Sequence, residues 1–167
     1  MSARFHIEPL TKAHDRSCFA CGNPRIDAYF HIRVSQDVKH DYAKCYVVIE
    51  TTTGQIAGFY TLSSNSVLLA EVPQPLASKL PRYPTVPAVL IGWLARDHRF
   101  AGLGLGEALV FDAVKRVATA PIGAHAIFAD AIDEAAGLFY RELGFMPLVS
   151  RPNAYYLPIV TAMKLLG

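Results

Sequence analysis

Apolar positions along the chain recur with two different periods, and each change of period marks a change of element. The segment "IDAYFHIRVSQDV" (26–38) spaces its apolar residues three and four apart, which predicts a helix, and Asn23-Pro24 just ahead supplies a start signal. "KCYVVIE" (44–50) and "IAGFYTLSSNSVLL" (56–69), both rich in β-branched and aromatic residues and joined by "TTTGQ", predict an antiparallel hairpin. "FHIEPL" (5–10) predicts a short edge strand. "VPQPLASKLPRYPTVP" (72–87) carries five prolines and predicts a loop built around one helical turn. The almost continuous apolar run "AVLIGWLARD" (88–97) predicts a central strand covered on both faces. Leu105 to Val117 returns to helical spacing, "HAIFADAI" (125–132) reads as a buried strand, and "EAAGLFYREL" (134–143) as a helix closed by Gly144. "AYYLPIVTAMKLL" (154–166) reads as a closing strand. The order β-α-β-β-β-α-β-α-β predicts an α/β fold with a mixed, largely antiparallel sheet flanked by helices.

Composition narrows the class. A chain of 167 residues, 52% hydrophobic and 18% charged, can bury one substantial core, so a single domain over residues 1–167 is expected. Sixteen Lys and Arg against fourteen Asp and Glu leave a net charge of +2, which gives no chain-wide field for nucleic acid. An odd cysteine count of three argues against a secreted disulfide framework, and "MSARFHIEPL" lacks the apolar core of a signal peptide; a cytoplasmic protein is expected. Charges and prolines interrupt every candidate membrane span. Cys18 and Cys21 form "CFAC", but there is no second pair and no His cluster, so no metal is expected and the cysteines read as small buried hydrophobes.

The chemistry gathers at "HRFAGLGLGEAL" (98–109). Gly102, Gly104 and Gly106 alternate between a strand and a helix, an arrangement that offers bare backbone N–H groups and a helix N-terminus to an anion, usually a phosphate. A P-loop would need Lys then Ser or Thr after its last glycine, where Glu107-Ala108 stand, and a dinucleotide fingerprint would need glycine in place of Glu107.

The run "WLARDHRFAGLGLGEAL" followed by "AAGLFYRELGF" resembles the GCN5-related N-acetyltransferases. The resemblance implies a GNAT fold that binds acetyl-CoA. Leu94, Ala95 and Arg96 would offer main-chain groups to the acetyl and pantetheine portions, and Ala101, Gly102, Leu103, Gly104, Leu105 and Gly106 would cradle the pyrophosphate. Ala101 stands where the family usually has Gln or Arg, and Arg99 is the cation placed to compensate. "FACGNPRIDAYF" (19–30), "AGFYTLSS" (57–64), "LPRYPTVPAVLIGWLARD" (80–97) and "DAIDEAAGLFYRELGF" (130–145) narrow the resemblance to the acetyltransferase toxins of bacterial toxin–antitoxin pairs. That implies acetylation of the α-amino group of an aminoacyl-tRNA, a ribbon-helix-helix antitoxin and a homodimer. Trp93 stands where Arg is frequent and Arg96 where Val is frequent.

Acetyl transfer to an amine requires a neutral nucleophile, a stabilised oxyanion and a proton for the leaving sulfur. The resemblance makes Tyr140, in "LFYRELGF", the expected acid, and an ordinary phenol stays protonated at neutral pH; on its residues alone it reads as a half-buried aromatic stapling its helix to the sheet. An α-amine has a pKa of roughly 7.7–8.0, so a neutral fraction exists without a dedicated base. Asp133, Glu134 and His98 read as a helix cap, a solvated charge and a surface histidine. Candidate RNA contacts are Arg25, Arg33, Lys39, Lys44, Lys79, Arg82, Arg96, Arg99 and Arg151, with Tyr83 and His98 for stacking. Two further readings stay open: the same enzyme acting on a protein or small-molecule amine, and a non-catalytic acyl-CoA-binding module.

Overall fold

The computed structural model describes residues 4–166; residues 1–3 and 167 of the expected domain lie outside the described residues. Seven strands form one mixed sheet in the order β1-β2-β3-β4-β5-β7-β6 among the described residues. They are β1 (Phe5–Pro9), β2 (Lys44–Glu50), β3 (Ile56–Leu68), β4 (Thr85–Arg96), β5 (Ala126–Asp130), β6 (Met146–Pro147) and β7 (Ala154–Pro158). The helices are α1 (Pro24–Ala28), α2 (Val34–Lys39), α3 (Gln74–Ala77), α4 (Leu105–Thr119), α5 (Glu134–Glu142) and α6 (Ile159–Leu166). This is the α/β, largely antiparallel architecture the sequence predicts.

Backbone contacts divide the described chain into two compact units, one running up to Ser63 and resuming over Gly92–Asp112, the other comprising Ser64–Ile91 and the chain from Ala113 onward. In the first unit, β1 pairs antiparallel with β2, and β2 with β3 through the predicted hairpin. Asn23 caps α1, its side chain accepting from the Arg25 and Ile26 N–H groups, and Pro24 occupies the first turn. The predicted helix continues through a π-helical stretch, Tyr29–Arg33, into α2. Phe19, Phe30 and Phe59 lock together in its core, with ring centroids 4.1–5.5 Å apart. Gly58 allows β3 to pass close to β4: a Cβ there would sit 2.9 Å from the Ala95 carbonyl oxygen.

In the second unit β4 pairs in parallel with β5 from Ala88↔Ala126 to Ile91↔Ala129, and β5 pairs antiparallel with β7. Gly144, with φ of +100°, closes the turn after α5 as expected.

Three expectations need correction. The closing segment 154–166 is a strand only to Pro158; Ile159 onward is α6, because proline ends the ladder and the apolar run that follows suits a helix face equally well. β4 starts at Thr85, inside the proline-rich segment, and its exposure alternates, with Pro87 and Gly92 open, so it is not covered on both faces. Of the cysteines only Cys45 is buried; Cys18 is exposed and Cys21 partly so.

Candidate active site

The end of β4 and the start of α4 are joined by a turn whose geometry follows from two glycines and one aspartate. Gly102 and Gly104 have φ of +76° and +73°, the left-handed region that side chains resist, and a Cβ at either would meet nothing within 4 Å. The backbone of this turn can therefore be approached closely. Gly106 lies within the first turn of α4, where the N–H groups of Leu105, Gly106 and Glu107 have no intrahelical acceptor. Ala101 and Leu103 are exposed, whereas Leu105 turns inward and anchors the helix start. Sequential free amides at the positive end of a 15-residue helix make an anion cradle of backbone alone.

Asp97, fully buried, holds the approach to this turn. Its carboxylate accepts from the Arg99 N–H (2.8 Å), Arg99 Nε (2.9 Å), Arg99 Nη2 (3.0 Å) and the Ala20 N–H (3.0 Å). Burial by itself would push this carboxyl up; the Arg99 guanidinium and the two amides outweigh it and hold the group below the ordinary Asp range. Arg99 is thereby engaged: expected as a compensating cation, it lies folded back on Asp97 and against the Phe100 ring. His98 donates its N–H to the Ala20 carbonyl (3.0 Å) and sets Nδ1 2.7 Å from it, while the side chain stays exposed.

Leu94, Ala95 and Arg96 form the last three residues of β4, with Ala95 buried and the two others partly exposed. One residue earlier, Trp93 donates its N–H to Thr61 Oγ1 (3.1 Å) and stacks on Tyr29 with centroids 4.1 Å apart. Around this stack runs an open groove of about 700 Å³ lined by Arg25, Tyr29, Ile32, Arg33, Asp37 and Trp93, with the Tyr29 hydroxyl donating to Asp37 (2.7 Å). Arg25 lies over the Trp93 ring, and among the described residues neither Arg25 nor Arg33 forms an ion pair.

Tyr140 belongs to the second unit. It sits on α5, capped by Asp133 accepting from the Ala136 N–H, with its ring packed against Phe139, Phe145 and Tyr155. Burial, helped by the charge of Asp130, pushes its phenol well above the ordinary value, so it stays protonated throughout the physiological range. Among the described residues its hydroxyl makes no hydrogen bond, and the side chain is buried. Glu134 is exposed. Of the other expected RNA contacts, Lys44 pairs with Asp41 and Arg151 with Glu71, while Arg82 and Tyr83 are exposed beside an apolar groove that includes Leu68, Leu69 and Val149. Among the described residues no cluster of three or more His, Cys, Asp or Glu could hold a metal ion, and no helix is long and apolar enough to cross a membrane.

Sequence reasoning missed Asp97. Its signal was present: an Asp at a strand end with Arg two residues on is the pattern of a side chain capping a tight turn. The partner that completes the site, Ala20, lies 77 residues away in sequence and carries no signal of its own.

Comparison with known proteins gives consistent findings. The profile of the acetyltransferase (GNAT) family matches residues 8–145. A probable toxin TacT of Sinorhizobium fredii is 33% identical over 99% of this chain and 97% of its own length. A tRNA-acetylating toxin of Mycobacterium tuberculosis is 31% identical over 95% and 94%. Among solved structures, AtaT complexed with acetyl-methionyl-tRNAfMet superimposes with a TM-score of 0.88 at 30% identity, covering 98% of this chain and 99% of that one. A Tyr-to-Phe variant of AtaT bound to the C-terminus of the antitoxin AtaR and acetyl-CoA gives 0.81 at 27% identity, covering 98% of each chain.

Proposed function

The chain belongs to the acetyltransferase (GNAT) family, and from that premise we propose that it is an N-acetyltransferase toxin whose acceptor is the α-amino group of an aminoacyl-tRNA. We take residues 1–167 as one acetyltransferase domain. The observation that carries the reading is the turn at Gly102–Gly106: two left-handed glycines with open faces, leading into a helix N-terminus, suit a pyrophosphate and leave no side chain in its way. Acetyl-CoA, when bound, supplies the acetyl group as an activated thioester. Ala101, Gly102, Leu103, Gly104, Leu105 and Gly106 hold its pyrophosphate through main-chain amides, so Ala101 in place of a polar residue costs little. Leu94, Ala95 and Arg96 bind the pantetheine side through main-chain groups, and Arg99 serves the cradle through its bond to Asp97.

Tyr140 keeps a proton available for the sulfur. The burial that raises its pKa keeps the phenol protonated, the state this reading requires of the donor. The acceptor amine requires no dedicated base, because a free α-amine is partly neutral near pH 7.7–8.0, roughly its own pKa.

Two of the similar proteins bear tRNA in their name or their complex, and the groove of Arg25, Arg33 and the Tyr29–Trp93 stack supplies cations and aromatic surface for an RNA end. The partner we assign is a ribbon-helix-helix antitoxin; the AtaT–AtaR complex supports an antitoxin of whatever fold, and exposed Leu68, Tyr83 and Val149 offer apolar surface that a protein partner would cover. A homodimer in the bacterial cytoplasm completes the reading.

The test is acetyl transfer from labelled acetyl-CoA to charged tRNA, beside deacylated tRNA, with wild type and Tyr140→Phe in parallel. Label on charged tRNA alone, lost in the variant, is the expected result. Label on no RNA, with acetyl-CoA still bound, would move the acceptor to a protein or small-molecule amine.

A further inference from the structure

The segment "FACG" (19–22), prominent in the sequence, has no part in the chemistry above, yet Ala20 is bonded to the approach of the glycine turn through both its N–H and its carbonyl. Ala20 gives its N–H to Asp97 Oδ2, and its carbonyl takes the His98 N–H and faces His98 Nδ1. On either side Phe19 is buried in the core of the first unit, and the Cys21 N–H donates to Asp27 Oδ1 (2.9 Å) on α1. Asp97 closes the circuit: it bonds Arg99 three times, its carbonyl accepts the Phe100 N–H (3.1 Å), and its own N–H reaches Ala57 of β3 (2.8 Å).

We propose that Asp97 is a positioning residue for the cofactor turn: by tying His98–Phe100 to Ala20 it presets the backbone of Ala101–Gly106 for the pyrophosphate. The physical reason is the turn's own softness. Left-handed glycines lose more backbone freedom on ordering than other residues, so without an external clamp the cofactor would have to order them itself. A buried carboxylate with four donors is an efficient clamp, since charge-assisted bonds are short and directional and a buried charge left unpaired is costly. The inference rests on the cradle reading of the glycine turn.

The test is Asp97→Asn, which keeps the shape and removes the charge and one acceptor oxygen. With acetyl-CoA, KM and the calorimetric Kd are expected to rise about tenfold, the loss of one charge-assisted bond, while kcat changes less than about twofold. With acetyl-pantetheine, the same thioester without pyrophosphate or nucleotide, kcat/KM is expected to match wild type. An equal fall with both donors, or an unmoved acetyl-CoA KM, overturns the proposal. If wild type itself does not prefer acetyl-CoA to acetyl-pantetheine, the cradle reading fails and takes the proposal with it. Should the variant not fold, amide hydrogen exchange on the wild type decides. On adding coenzyme A, the Ala20 and Arg99 N–H groups are expected to gain protection together with Gly102–Glu107; protection of the turn with Ala20 unchanged overturns the coupling.

Discussion

The cradle reading stands or falls on a pair of glycines with the same backbone and different surroundings. Gly104 and Gly54 share a φ of +73°, and at both a Cβ would meet nothing within 4 Å. Gly104 lies in the turn before α4; Gly54 lies in the hairpin between β2 and β3, where its N–H donates to the Glu50 carbonyl (2.8 Å). Replacing either with alanine imposes the same left-handed strain, about 1–2 kcal/mol, with no steric clash to add. For a chain of this size that lowers Tm by about 2–4 °C per kcal/mol. The two variants are thus matched in stability. They should part in cofactor affinity: the new methyl at 104 stands on the open face of the cradle, and each charge-assisted bond it displaces is worth roughly 1.5–3 kcal/mol, or about ten- to a hundredfold in Kd. Thermal unfolding and titration calorimetry with acetyl-CoA measure both quantities on the same samples. Equal affinity in Gly104→Ala and Gly54→Ala would refute the argument that open backbone at Gly104 exists for a ligand.

Four shorter predictions follow from the same geometry. Tyr140→Phe deletes a hydroxyl without a partner among the described residues, so Tm should shift little, while the transfer rate falls roughly 10²–10⁴-fold; a rate within a few-fold of wild type removes Tyr140 from the chemistry. Asp97 titrates below its ordinary value of 3.8, so the unfolded chain takes up the proton first; the stability it contributes is complete above that value and is lost as pH falls through the folded pKa. Acid unfolding curves for wild type and Asp97→Asn should therefore converge toward low pH, and parallel curves would contradict the clamp. Arg25→Glu combined with Arg33→Glu should leave Tm nearly unchanged, since neither forms an ion pair among the described residues, but weaken charged-tRNA binding at least about tenfold and reduce its salt dependence; this is read by binding titrations at two salt concentrations. Gly58→Ala drives a Cβ against the Ala95 carbonyl and two side chains, Val48 and Leu109, and should cost about 1–3 kcal/mol by denaturant unfolding.

Much of this was open to reading in the chain because it depends on local geometry. The period of Leu105 to Val117, the hairpin 44–69, the Asn23-Pro24 start and the Gly144 stop each specify an element from neighbours in sequence, and each appears where predicted. The family and the glycine turn were legible for the same reason, since a ligand that rests on backbone leaves its mark as missing side chains. The sequence failed where two structures share one pattern. The apolar run 154–166 fits a strand or a helix face, and only the placement of Pro158 at the end of the β7 ladder separates them.

Tertiary structure alone decided what depends on distant partners. A solitary Asp97 in "ARDHR" reads as one more surface charge until the fold brings the Ala20 amide, 77 residues earlier, against its carboxylate. Arg99, a free cation on paper, is spent on that same carboxylate. Trp93 became one wall of a basic groove only through its stack on Tyr29. Hydrophobic period and backbone freedom are properties of adjacent residues and are written along the chain; hydrogen-bond satisfaction of a buried charge is a property of the folded volume, and the chain does not state it until it folds.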